Sequence, residues 1–494
     1  MLSVLVLAPL VAAIVLALAR GLPDLVVRAA WVVVTAALLA LTVAATALAL
    51  PLPPGRLALE ERSAAVPGLG VRYQLGVDGF SLALLLLTGV VFLAVAVFSL
   101  GERHRPRQQA ALYLFLQATC VGLFTAQDLI VFFLFFDLSI VGIAFSIAGW
   151  GHGSRRRSAL VFFLYTFAGS IALLLGFIGV YLGAARPTFD MAALAASGAL
   201  AVGPVAAIAV VAAITVGLAV KTPTVPFHSW LPPAHTDAPT IGSVVLAALL
   251  LKMGTYGLVR VAAPILPAAW SAIAWTVLVV GIVSALWGAL VALAQTDLKR
   301  MIAYTSINHM GYVVMAVGAA GIGGGVVAQR TAVIGALVQM VSHGLTTGAL
   351  FLLVGVLRDR RGTSELDRFG GLGRVAPRFA ALFAIAAFAS LGLPGFSGFV
   401  AELQIFIGAI GATPVAALAL PGIVLTAALL LRALQRVLTG ERTPMAEHFP
   451  DLKPHETVAI GGLLALSLAI GVVPAPLNGL VEPAAAHLVD LLHR

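Results

Sequence analysis

Residues 219–261 read AVKTPTVPFHSWLPPAHTDAPTIGSVVLAALLLKMGTYGLVRV, and this stretch decides the fold. It joins two apolar segments, each long enough to cross about 30 Å of hydrocarbon, which takes roughly 20 residues. Both segments carry a charge that hydrocarbon disfavours. Lys221 stands beside a double proline break, and Lys252 lies well inside the second segment. Pro223 and Pro226 supply no N–H, so the carbonyls of Ala219 and Thr222 lose their usual helical partners. At membrane depth such groups are tolerated only where protein or water satisfies them.

The rest of the 494 residues is of the same kind: 61% hydrophobic and 10% charged, with a mean hydropathy of +1.08. Soluble domains carry about a quarter charged residues, so soluble, disordered, fibrous and nucleic-acid-binding classes are excluded. Apolar runs predict an all-α polytopic membrane protein. Its spans fall near 2–19, 25–51, 78–100, 108–126, 128–150, 158–183, 203–232, 237–263, 268–295, 300–320, 327–357, 377–410, 412–437 and 456–475. Residues 1–19 read as span 1 rather than a secretory signal, because no Lys or Arg precedes the apolar run. The tail 477–494, with LVEPAAAHLVDLLHR, reads as an interfacial helix.

The net charge of +9 reports orientation. With the N-terminus outside, loops after odd-numbered spans hold 20 of the 29 Lys and Arg residues, Lys299, Arg103 and Arg358 among them. Opposite loops and the tail, including Arg260 and Arg494, hold 7, and Lys221 and Lys252 lie inside spans. That asymmetry is the positive-inside pattern. The lone Cys120 permits no disulfide, CxxC pair or iron–sulfur motif. HExxH and GxxxxGK[ST] patterns are missing too, and GIGGGVV (321–327) reads as a bend between spans 10 and 11.

An ionisable residue in hydrocarbon is costly and marks function by default. Asp137 sits in IVFFLFFDLSIVGIAF on span 5, and Glu402 follows the break SLGLPGFSG in span 12. With Lys221 and Lys252 they make four, joined by His309 on span 10 and His343 on span 11. His228 and His235 lie beside the span 7 break. The bland readings are a structural Asp137–Lys221 pair, a snorkelling lysine, packing roles for His309 and His228, and a loop or access-path role for His235. Opposite charges about 4 Å apart interact by roughly 4 kcal/mol at an effective dielectric of 20. Moving Asp137 toward or away from Lys221 therefore switches the lysine between holding and releasing a proton.

Pro394, with Gly392, Gly395 and Gly398, breaks span 12 as Pro223 and Pro226 break span 7. Broken helices at matching positions of two halves suggest an inverted-repeat transporter. A weak likeness between LVFFLYTFAGSIALLLG and LVQMVSHGLTTGALFLL agrees. The expected divisions are N-terminal spans 1–3 (1–107), a first repeat of spans 4–8 (108–263), an inverted second repeat of spans 9–13 (264–437), and span 14 with the tail (438–494).

The block 219–261 resembles the antiporter-like membrane subunits of respiratory complex I and their cation/proton antiporter relatives. AQTDLKRMIAYTSINHMGYVVMAVG (294–318), ALVQMVSHGLTTGALFLLVG (336–355) and LGLPGFSGFVAELQIFIGA (391–409) support the likeness, which runs over about 70–440. It implies that Lys221 is the central lysine of span 7 and Lys252 the relaying lysine of span 8. His309 and His343 take the histidine positions, and Glu402 the residue that ends the half-channel. Glu there marks the M-type (subunit 4) chains, where L- and N-type chains and antiporter cousins typically carry Lys. Asp137 departs from the usual Glu and is shorter by about 1.5 Å, one C–C bond.

The resemblance implies a proton-translocating membrane subunit of an NADH–quinone oxidoreductase. No cofactor or metal is expected in this chain; NADH, FMN, iron–sulfur clusters and quinone belong to partner subunits. L- and N-type membrane-arm chains, protons and lipid are its expected partners, with no nucleic acid. The expected location is a bacterial inner (plasma) membrane. Two rivals stand beside this reading. One is a subunit of a multi-subunit Na⁺/H⁺ antiporter or a membrane-bound hydrogenase-like complex. The other is a structural scaffold, against which the desolvation cost of four buried charges argues.

Overall fold

Aspartates and prolines start the helices. Asp78, Asp128, Asp190 and Asp297 accept backbone N–H bonds from the first turns that follow them, supplying acceptors to otherwise orphan donors. Proline opens several others, at positions where its missing N–H costs nothing. The computed structural model describes residues 1–493 except 65, 67–69 and 103. Arg103 and Arg494, both counted in the charge asymmetry, lie outside the described residues.

The helices run in order as α1 (Leu2–Leu18), α2 (Asp24–Ala49), α3 (Gly79–Phe98), α4 (Pro106–Thr125), α5 (Leu129–Trp150), α6 (Arg155–Gly183) and α7 (Met191–Ser197). Span 7 is split into α8 (Pro204–Lys221) and α9 (Leu231–Asp237). Next come α10 (Thr240–Ile265), α11 (Pro267–Leu293), α12 (Leu298–Ala320) and α13 (Val326–Arg361). Span 12 is split into α14 (Pro377–Ser390) and α15 (Ser397–Ala412), followed by α16 (Pro421–Leu438), α17 (Pro454–Val472) and α18 (Ala475–Leu492). Among the described residues ten helices are long and apolar enough to cross a membrane, and α1, α14 and α15 are shorter apolar helices.

The chain is not wholly helical between spans. An antiparallel hairpin, β1 (Ala58–Arg62) and β2 (Gln74–Val77), fills the loop before α3. It is tied to the 125–129 loop by Gln127 N–H to Gln74 O at 3.0 Å. Gln127 O in turn accepts from Met191 N–H at 3.0 Å, and α18 lies against α3 so tightly that a Cβ on Gly79 would strike Leu480 O. These elements form one end of the molecule, the hairpin face.

The opposite end gathers the loops after the odd-numbered spans. Arg28 donates to Leu100 O, Arg358 to Thr236 O, Arg361 to Met445 O and Arg432 to Leu293 O. This basic face owes its order to arginines donating to backbone carbonyls, of which those of Thr236 and Leu293 close helix ends. Lys299 behaves differently from the loop charge expected of it: it is 1% exposed and donates to Ala238 O.

α13 is the central post, its membrane-crossing stretch wholly buried. α12, α15, α17 and α18 pack on it. α1, α2, α6 and α11 turn rows of large apolar side chains outward, such as Leu160, Leu164, Phe167 and Ile171 on α6. That inverts a soluble protein's surface and suits hydrocarbon.

Candidate functional site

The two breaks are satisfied from within the protein. Ala219 O, deprived of its usual donor by Pro223, accepts from Thr224 N–H at 3.0 Å. Val220 O accepts from the Trp230 indole at 2.9 Å, and Val225 N–H donates to Ser284 Oγ at 2.9 Å. In span 12, Gly392 and Gly395 take left-handed φ values of 81° and 101°, open to glycine at no steric cost. Ser397 bridges Ser342 and Ser467, both at 2.8 Å, pinning the start of α15 between α13 and α17.

Lys221 is the last residue of α8 and 1% exposed. Its Nζ donates to Ser139 Oγ at 2.9 Å and lies 4.7 Å from the centre of the Phe136 ring. Asp137, between those two residues on α5, faces Ser170 of α6, and its charge reaches Lys221. Among the described residues no hydrogen bond or ion pair joins the two. Ser139 is a contact that the reading of charged residues missed; one helical turn's spacing from Phe136 was its only signal.

Lys252 is fully buried on α10. π-helical turns at Leu246–Leu250 and Leu258–Ala262 flank it, a feature common at functional sites. Widening the helix frees a carbonyl, and Lys252 Nζ donates to Ala247 O. The same ammonium meets Nδ1 of His343 on α13 at 2.5 Å. The His343 and His309 rings stand edge to face at 5.4 Å, and His309 Nε2 lies 3.9 Å from Glu402 Oε1. Four sequence-predicted residues on α10, α13, α12 and α15 thus form one buried row. His309 is 2% exposed near the middle of α12.

Glu402 is held by the break before it. A Cβ on Gly392 would sit 2.6 Å from Glu402 Oε2, so only glycine leaves the carboxylate its place. Pro394 lies in the same turn.

His235 is fully buried on α9, stacked on Phe351 with ring centres 4.5 Å apart, and neither ring nitrogen is hydrogen-bonded. It faces the charges of both Lys299 and Lys252. His228 takes no part in the row: its Nε2 accepts from the Trp287 indole at 3.1 Å on the outer surface of α11. Among the described residues no group of three or more His, Cys, Asp or Glu is placed to hold a metal ion.

This geometry can be set beside known proteins. The sequence model of the NADH:quinone oxidoreductase/Mrp antiporter transmembrane family matches residues 126–429. NADH-quinone oxidoreductase subunit M of Rhodobacter capsulatus is 37% identical over 507 aligned positions, covering 100% of this chain and 97% of that one. A chain of respiratory complex I from Thermus thermophilus with bound NADH superposes with a TM-score of 0.89 at 31% identity, covering 100% of both chains. A chain of the Mrp complex from Dietzia sp. DQ12-45-1b superposes with a TM-score of 0.85, covering 99% of this chain and 97% of that one. Its identity is 23%, and the likeness is one of fold.

Proposed function

The chain belongs to the NADH:quinone oxidoreductase/Mrp antiporter transmembrane family, and on that premise we propose that its buried row carries protons across the membrane arm of a complex I. It is a proton-translocating membrane subunit of an NADH-quinone oxidoreductase, of the M type. The observation that carries the relay is the buried succession Lys252–His343–His309–Glu402, hydrogen-bonded at its first step and spaced by 5.4 Å between ring centres and 3.9 Å at the next two.

Electrostatics limits the row to one excess proton at a time. Two cations at the 5.4 Å separation of the imidazoles repel by about 3 kcal/mol at an effective dielectric of 20. The Lys252–His343 hydrogen bond therefore shares a single proton. An ionised Glu402 attracts a proton on His309 by about 4 kcal/mol at their separation, drawing charge along the row until the carboxylate is neutralised. Discharge of Glu402 restores the pull. Lys221, held by Ser139 and within the field of Asp137, is the loading group of the first half. Among the described residues no direct bond links it to Lys252, so water must bridge that step.

In this reading 108–263 and 264–437 are inverted repeats, each carrying one broken helix. The basic face is cytoplasmic in a bacterial plasma membrane, with the N-terminus outside. L- and N-type chains adjoin its flanks, and redox chemistry in cofactor-bearing partners drives the relay. Replacing Lys221 with Ala should abolish proton pumping while the complex still assembles, read as loss of dye quenching in inside-out vesicles that still oxidise NADH with an artificial acceptor. Normal pumping in that variant would falsify the relay.

A further inference from the structure

Lys221 is 1% exposed, yet no carboxylate grips its ammonium. Asp137, the nearest candidate, leaves its Oδ1 buried without a hydrogen-bond partner among the described residues. An ammonium carries three N–H donors and no acceptor, and Ser139 Oγ accepts from one of them at 2.9 Å. The other group against it is a ring. Nζ lies over Phe136, 4.7 Å from the ring centre, inside the reach of about 6 Å at which an aromatic face attracts a cation. Burial strengthens that attraction, because no water competes for the charge.

The ring is built in firmly. Phe136 is 1% exposed. Phe132, one turn earlier on α5, stacks on it with centres 6.0 Å apart and planes 26° apart. Phe177 of α6 meets Phe132 in turn, edge to face at 6.3 Å. Such packing leaves Phe136 little freedom to turn its face away from the lysine. Leucine at 136 would fill much of the same space, but it has no π face to offer a cation.

Titratable groups face Lys221 from two other helices, Asp137 on α5 and Cys120 on α4. α10, which also packs on α8, turns its Lys252 to His343 instead. None of these changes when the Phe136 ring is altered, so the contribution of the ring can be measured by itself.

We propose that Phe136 is a positioning residue of the pump: its face and Ser139 Oγ form a cradle in which Lys221 keeps its proton while parted from Asp137. The proposal rests on Lys221 being the loading group of the relay, and it adds what holds the load. Only the proton on Nζ is retained or released, so nothing is oxidised or reduced.

The test places phenylalanines with one, two and three ring fluorines at position 136 of the intact complex. Each fluorine draws charge from the π face while nearly keeping the shape of the ring. Protons taken up per NADH oxidised are then read in inside-out vesicles across a pH series. Pumping falls on the alkaline side once Lys221 no longer loads. Weakening what stabilises the ammonium lets it deprotonate at lower pH, so the midpoint of that fall should step down with each added fluorine. Phe136→Leu should lower it by about one pH unit, about tenfold in proton affinity. The same fluorinated residues at Phe177, which belongs to the ring cluster without touching Lys221, should leave the midpoint in place. A midpoint indifferent to fluorine at 136, or moved as far from 177, overturns the proposal. Should Phe136→Leu fail to assemble, the fluorinated series decides alone. Lys221→Ala separates the two readings. If it pumps normally the relay itself has failed; if it is dead while fluorine at 136 moves nothing, only the cradle has failed.

Discussion

Replacing Gly392 with Ala tests whether the break in span 12 exists to place a carboxylate. Gly392 has φ 81°, and a left-handed alanine costs roughly 1–2 kcal/mol. The added Cβ would also lie 2.6 Å from Glu402 Oε2. Ordinary contact begins near 3.4 Å, so the carboxylate must retreat by about 0.8 Å. A retreat of that size along the His309 direction lengthens the 3.9 Å contact to about 4.7 Å. At an effective dielectric of 20 the attraction falls by about 0.7 kcal/mol, roughly threefold in a rate or a population. Gly395→Ala is the control: its φ of 101° is at least as strained, yet a Cβ there meets nothing within 4 Å. Both variants should assemble, since the strain is small against a typical folding stability of about 5–15 kcal/mol. Proton uptake per NADH oxidised, read by acridine-dye quenching in inside-out vesicles, should fall about threefold further in Gly392→Ala than in Gly395→Ala. Equal ratios in the two variants would refute the view that Gly392 positions Glu402.

Three further outcomes follow from other contacts. Ser139→Ala removes the 2.9 Å partner of the Lys221 ammonium; a hydrogen bond to a charged group is worth about 1.5–3 kcal/mol, so pumping should drop about tenfold or more and return with Ser139→Thr. Pumping unchanged in Ser139→Ala means that Ser139 does not hold the lysine. Asp137→Glu extends the carboxylate by about 1.5 Å and should keep pumping within about twofold; an assembled but inactive variant means that reach is tuned to aspartate. Asp78→Asn keeps the cap on α3, which Asn supplies as well as Asp, but breaks the 2.8 Å ion pair with Arg260. It should cost about 3 kcal/mol, seen as a lower thermal unfolding midpoint of the purified complex, and an unchanged midpoint would rule the pair out as a structural tie.

The parts legible in the sequence share a physical cause. A charge in a long apolar run has few acceptable environments, so Lys221, Lys252 and Glu402 announced themselves without any fold. Proline's missing N–H likewise placed both breaks. The paired strands β1 and β2 escaped notice because elements of five and four residues carry little periodicity. Lys299 was counted as a loop charge because it sits at the edge of its span. Burial there depends on the α9 end arriving to accept its proton donor, and nothing local to residue 299 signals that.

From its residues alone this chain is determined to be a membrane protein with two broken helices, a basic side and a few charges too deep to be accidental. Hydrophobic length and the cost of burying charge act locally, so a linear reading captures them. Order and pairing among those charges depended on tertiary structure. Lys252 meets His343, His343 meets His309 and His309 meets Glu402 because four helices converge; Lys221 turns to Ser139 rather than Asp137; His228 faces Trp287 on the outer surface. Contacts between residues up to about ninety positions apart depend on helix packing and rotation, which no single segment encodes.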